Sequence, residues 1–167
     1  LKSLASECSS VVEVGLRSMV STWGLLQGLS ESPSEFRSYL GIDIAFPPIK
    51  NFQIARYLAI GNRIQFNFWK KNSIDVEIPE TDLIFIDSLH TYAHLSCELE
   101  RFSSKVNKYI ALHDTSAPWG ELDDSEYNGD YSEYPDSIDK SKRGLWIAVE
   151  DFLSHHPEWK LEGRHFN

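Results

Sequence analysis

Four places in the chain hold side chains that could do chemistry: Glu13-Val14-Gly15, Asp43, Asp87-Ser88-Leu89-His90, and His113-Asp114. Carboxylates accept hydrogen bonds from hydroxyls, and a histidine can exchange a proton near neutral pH. One strand-ending acid is often only a helix cap or a turn residue. Here each group stands at the end of a short apolar run. If the runs are neighbouring parallel strands, about 4.8 Å apart, their ends converge on one cleft. The first turn holds a single glycine, not GxGxxG, so it gives no support for a pyrophosphate site. Asp43 follows Gly15 by 28 residues, beyond the offset of about 20 in the dinucleotide fingerprint. A carboxylate there suits a ribose diol. The groups fit a nucleoside ligand without a pyrophosphate better than NAD.

The elements that must carry these groups alternate between strand-like and helical patterns, which predicts βαβ units and a mostly parallel sheet. Strands are expected at residues 10–15, 39–44, 63–68, 82–87 and 109–112, with a last one starting at 159–162. The run Asp82-Leu83-Ile84-Phe85-Ile86-Asp87 reads as a strand covered on both faces. Helices are expected from Val20 to about Leu29 and over residues 50–60, 92–104 and 144–155; residues 31–38 read as a loop. The fold class is therefore α/β, a Rossmann-like sheet with helices on both faces. Residues 1–167 form one domain, read as a fragment of a longer chain and truncated at one or both ends. Residues 115–142 are an acidic, aromatic loop within it.

Bulk properties narrow the partners. The net charge is −9, and eight acids with no Lys or Arg lie between Glu121 and Asp139; without those eight the balance is −1. Clustered cations for nucleic acid are not expected. No apolar run approaches the roughly 20 residues of a membrane span, so no membrane partner is expected. Cys8 and Cys97 lack metal-like spacing and read as reduced thiols, in keeping with a cytoplasmic location. His155 and His156 follow the last helix and read as structural. The loop carries Trp119, Tyr127, Asn128, Tyr131 and Tyr134, a set able to form a sugar-binding wall; the plainer reading is a solvated loop.

Several segments also match a family. Glu13-Val14-Gly15…Ser21-Thr22 resembles the first S-adenosylmethionine (SAM) motif of class I methyltransferases. Phe85-Ile86-Asp87-Ser88-Leu89-His90-Thr91-Tyr92 and Ala111-Leu112-His113-Asp114-Thr115 resemble two segments of the subgroup that holds cephalosporin-hydroxylase-like proteins and sugar or macrolide O-methyltransferases. Gly144-Leu145-Trp146-Ile147-Ala148-Val149-Glu150 and His156-Pro157-Glu158-Trp159 resemble the helix and strand that close its domain. The resemblance implies that Glu13, Gly15 and Ser21 line the methionine end of SAM, that Asp43 holds the ribose, and that Asn72 and Ser73 contact the adenine. It implies that Asp87, His113 and Asp114 hold a divalent metal, Mg²⁺ or Mn²⁺, with Asp87 shared between cofactor and metal. Several relatives carry an acid two residues after the metal aspartate, and it serves as the base. Leu89 stands there, which makes His90 the candidate base beside Asp87 and His113.

The reading is a SAM-dependent O-methyltransferase acting on a small hydroxylated acceptor, a sugar or glycoside, with metal assistance. Two alternatives stay open. One is a metal-dependent glycosyltransferase, suggested by Asp123-Asp124; the other is a non-catalytic SAM-fold module of a larger protein. Family members also carry a helix before the first strand and a strand after the Trp159 segment, so an exposed sheet edge is open to oligomerisation.

Overall fold

A computed structural model describes residues 1–124 and 132–164. The chain divides into two compact units, Leu1–Ser88 with Phe102–His113, and Leu89–Arg101 with Asp114–Asn167.

The first unit holds the whole sheet. Its elements are α1 (Lys2–Ser6), β1 (Ser10–Val14), α2 (Val20–Glu31), β2 (Arg37–Asp43), α3 (Ile49–Gly61), β3 (Ile64–Lys70), β4 (Thr81–Ile86) and β5 (Val106–Leu112). Every pairing is parallel, in the order β3-β2-β1-β4-β5. The chain winds outward from β1 to β3, then returns to lay β4 on the other side of β1. That reversal makes β1/β4 the switch point, where an open parallel sheet binds ligands beyond its carboxyl ends.

Register explains which side chains meet. Val11 lies opposite both Tyr39 and Leu83, so all three point to one face. There they join Leu25, Leu29, Met19, Ala55, Ala59 and Phe85 in a core closed by α1, α2 and α3. β4 is buried at every residue, as its unbroken apolar sequence predicts.

The second unit is built on α4 (Tyr92–Phe102, its last residue assigned to the first unit) and α5 (Leu145–His155). The expected helices are all present within two residues; the one expected over 92–104 ends at Phe102 and passes into a 3-10 turn at Ser103–Lys105. β2 and β5 begin earlier than expected, at Arg37 and Val106. The strand expected at 159–162 is not formed. Trp159 donates its N–H to the His156 carbonyl in a turn, and 159–162 pairs with no strand among the described residues. A strand exists only through a ladder partner, so an apolar-polar pattern alone could not secure it.

Candidate functional site

The turn after β1 is organised by two buried or half-buried acids. Glu13 is wholly buried, 0% exposed. Its Oε1 accepts from Ser21 Oγ, and its Oε2 from Thr22 Oγ1 at 2.7 Å and from the Tyr39 hydroxyl. The carboxylate thus fixes the first turn of α2 to β1 and β2. Burial pushes its carboxyl up to about 7, the three hydroxyls oppose this only in part, and the charge of Asp87 adds to the rise. Tyr39 is in turn held well above its ordinary range, by burial and by Glu13.

Asp43 works on the same turn from outside. Its Oδ2 accepts from the Leu16 and Arg17 amides at 2.8 and 3.1 Å, and its Oδ1 from the Ala45 amide at 2.8 Å. A carboxylate offers about four acceptor positions. One therefore remains on Oδ1, enough for one ribose hydroxyl rather than both.

Between these acids the backbone takes left-handed conformations at Gly15 (φ 83°), Arg17 (φ 42°) and Met19 (φ 66°). Gly15 donates to the Ile42 carbonyl, and a Cβ built on it would overlap the Asp87 carbonyl. Only glycine permits so close an approach of the β1 turn to the end of β4. The β1 turn and the end of β4 thus close on each other at the switch point.

Asp87 and His113 continue the ladder beyond β4 and β5: Asp87 donates its N–H to Val14, and His113 to Ile86. Their side chains meet, with His113 Nδ1 3.4 Å from Asp87 Oδ1. Two donors about 2.1 Å from one ion, at 90–110°, lie about 3.0–3.4 Å apart, so this pair fits a shared divalent metal. Asn72 accepts from the Ile74 amide and caps a 3-10 turn in which Ser73 is buried.

In the second unit His90 Nε2 lies 3.6 Å from Asp114 Oδ2, and its ring is 5.7 Å from that of Trp119. The imidazole therefore has a carboxylate to orient it and an aromatic wall beside it. Asp123 has a different task. Its Oδ1 accepts from the Tyr92 amide that opens α4 and from the Gly144 amide that precedes α5, both at 2.8 Å, and Arg143 lies 3.5 Å from Oδ2. Asp123 thus bonds the amides at the starts of two helices rather than standing ready for a nucleotide-bound metal. Tyr134 is buried, with its hydroxyl 2.9 Å from His94 Nδ1, so it is not free to stack on a sugar. Tyr127, Asn128 and Tyr131 lie outside the described residues. His156 stacks on Phe152 and lies within 3.2 Å of Glu100 and Glu158, and both cysteines are buried free thiols.

Sequence reasoning missed Thr22 and Tyr39 as partners of Glu13, although a lone Glu in a Val-rich strand signals that polar partners must exist. It also missed a buried trio formed by His94 and Glu98 of α4 with Tyr134. His94 Nε2 lies 3.2 Å from Glu98 Oε1, and its other nitrogen meets Tyr134. The i,i+4 spacing of His94 and Glu98 was the available signal.

No protein-family model matches the chain, and no curated protein does. Solved structures do. The chain is similar to the O-methyltransferase TomG from Streptomyces achromogenes, involved in tomaymycin synthesis and solved with SAM (10% identity, TM-score 0.54, covering 95% of this chain and 65% of that one). It is also similar to a putative O-methyltransferase from Klebsiella pneumoniae (16%, 0.51, 92% and 63%). A third likeness is the SAH-bound methyltransferase PaMTH1 from Podospora anserina (14%, 0.50, 94% and 66%). The chain thus spans about two thirds of these proteins. Its fold is the Rossmann-like fold of class I SAM-dependent methyltransferases.

Proposed function

We propose that this chain is the cofactor-binding part of a SAM-dependent O-methyltransferase, acting with a divalent metal on a hydroxyl of a small acceptor, a sugar or glycoside. The observation that carries the reading is the left-handed Gly15 turn, packed on the Asp87 backbone at the β1/β4 switch point. Proteins of this fold are solved with SAM or SAH, and an open parallel sheet binds its ligands beyond the carboxyl ends of the strands at such a switch point.

In this reading Gly15 and Ser21 border the methionine end of SAM, and Glu13 positions them from beneath. Asp43 accepts one ribose hydroxyl, and Asn72 and Ser73 border the adenine. Asp87, His113 and Asp114 are the metal ligands, and bound Mg²⁺ or Mn²⁺ would lower the pKa of the acceptor hydroxyl. His90 takes that hydroxyl's proton as it attacks the methyl group, and Asp114 steadies the imidazolium. Trp119 offers the acceptor a ring face. The buried, unpaired thiols suit the cytoplasm, and the sheet edge at β5 suits oligomerisation.

Calorimetry tests the reading. SAM should bind, and binding of a sugar acceptor should strengthen with Mg²⁺. Absence of SAM binding would overturn it. SAM binding without any metal effect would remove the metal, and SAM binding without turnover would favour a non-catalytic module.

A further inference from the structure

α3 faces the core with Phe52 and the small, fully buried Ala55 and Ala59, yet Ile49, Ile54, Tyr57, Leu58 and Ile60 are exposed, Tyr57 by 74%. At 100° per residue these five side chains spread over the outward half of the helix. So many large apolar side chains on an outward face normally mark an interaction surface. α3 packs on β3, and β3 is an edge strand, so the helix and strand form one flank of the first unit.

Charge is the second observation. In a chain of net charge −9, residues 44–74 contain no Asp or Glu, yet hold Lys50, Arg56, Arg63, Lys70 and Lys71. All five are exposed. None forms an ion pair among the described residues, whereas Lys2, Lys108, Lys140, Lys142 and Arg143 each do. Unpaired cations among projecting aliphatic side chains are the composition of a helix that lies on a bilayer. A second copy meeting this flank about a twofold axis would set cations against cations. A protein partner needs matched charges at its contacts only. Clearing every acid from the whole stretch suits a diffuse negative surface.

We propose that the α3–β3 flank docks on an anionic lipid surface, with Ile54, Tyr57 and Ile60 entering the interface and the five cations held at the headgroups. This departs from the expectation of no membrane partner, which rested on the absence of a spanning segment. No helix among the described residues is long and apolar enough to cross a membrane, and surface docking needs none. By topology Lys50 and Lys70 stand at the carboxyl edge of the sheet, the edge that carries the proposed cofactor site. The inference does not depend on the proposed reaction.

The test is vesicle co-sedimentation of the whole chain, with phosphatidylcholine alone and with phosphatidylglycerol added, at low and high salt. Binding should require the anionic lipid and fall with salt. Each cation near the surface is worth roughly fivefold in affinity, so K50Q/R56Q/R63Q should bind at least about tenfold more weakly. I54S/Y57S/I60S should also weaken binding, and Tyr57→Trp should show a blue-shifted emission on anionic vesicles. All variants alter exposed side chains, and an unchanged melting temperature confirms that they fold. Failure to bind anionic vesicles at low salt would overturn the proposal. So would binding indifferent to both triple variants, or no Tyr57→Trp shift. A dimer in light scattering that I54S/Y57S/I60S abolishes, without vesicle binding, would assign the flank to a second copy instead.

Discussion

Glu13 and Glu98 are both wholly buried carboxylates, one under the cofactor turn and one inside α4, yet they are solved in opposite ways. Glu13 is surrounded by three hydroxyls, which are neutral donors, and its carboxyl rises to about 7. Glu98 faces His94, which can carry the opposite charge. Burial alone would lower the His94 pKa, but Glu98, with Glu133 beyond it, outweighs burial and holds it above its usual value. The first arrangement stores a proton on the acid, and the second stores it on the base. Neutral donors let a buried acid titrate near neutrality at a turn, whereas a charge partner makes a lock.

The lock should be the costlier to break. His94→Ala takes the imidazole from Glu98 and leaves the Tyr134 hydroxyl short of a partner. Breaking a buried charge pair costs about 3–5 kcal/mol, so thermal unfolding should show a loss of about 4 kcal/mol. A loss under 1 kcal/mol would mean that the pair is not the anchor of that region.

The proton on Glu13 predicts the next effect. A folded pKa of about 7 against an ordinary 4.5 means that the native state binds the proton more tightly. This contribution is full below pH 4.5 and is lost as pH rises to 7, about 3 kcal/mol in all at 1.36 kcal/mol per unit. The His94 contribution has the same sign but a later window: full below pH 6.5 and lost as pH rises through its raised folded value. Denaturant melts from pH 5 to 8 should therefore show falling stability. Glu13→Gln should flatten the early part of that slope, and His94→Ala the late part. A Glu13→Gln protein with an unchanged slope between pH 5 and 7 would refute the assignment.

Gly15→Ala attacks the turn itself. A side chain at φ 83° is strained by about 1–3 kcal/mol, and the overlap with Asp87 adds to it. We expect a loss of about 2–3 kcal/mol and SAM affinity lowered at least about tenfold. His94→Ala, by contrast, should leave SAM affinity within about threefold, because the trio lies in the other unit.

The contrast also shows where sequence is informative. The alternation of apolar runs with helical spacing revealed all five strands within three residues, and Gly15 and Asp87 stood at strand ends as expected. The direction of Glu13 was not legible. β1 is buried throughout Val11–Val14, so period-two alternation carries no inside/outside signal, and Tyr39 reaches Glu13 only through the β1–β2 register. Asp123 was opaque for the same reason. Its partners lie 31 residues before it and 21 after it, and a pair of acids in a loop reads as metal ligands until both amides are seen.

Asp43 gives the smallest effect and the finest distinction. Its two oxygens face only donors: two turn amides on Oδ2 and one on Oδ1. Asn cannot reproduce this. If its oxygen takes the Oδ2 place, its NH₂ faces the Ala45 amide; if it is flipped, the NH₂ faces Leu16 and Arg17. The first orientation loses one hydrogen bond and the second loses two, so the first is favoured and Asp43→Asn should cost about 1–2 kcal/mol. It also places a donor where the remaining Oδ1 position would accept a ribose hydroxyl. A hydroxyl can turn to accept instead, so SAM affinity should fall by no more than about tenfold, against at least about tenfold for Gly15→Ala. Equal falls in SAM affinity and in the affinity of a deoxyribose analogue would show that Asp43 serves the turn alone and not the ribose.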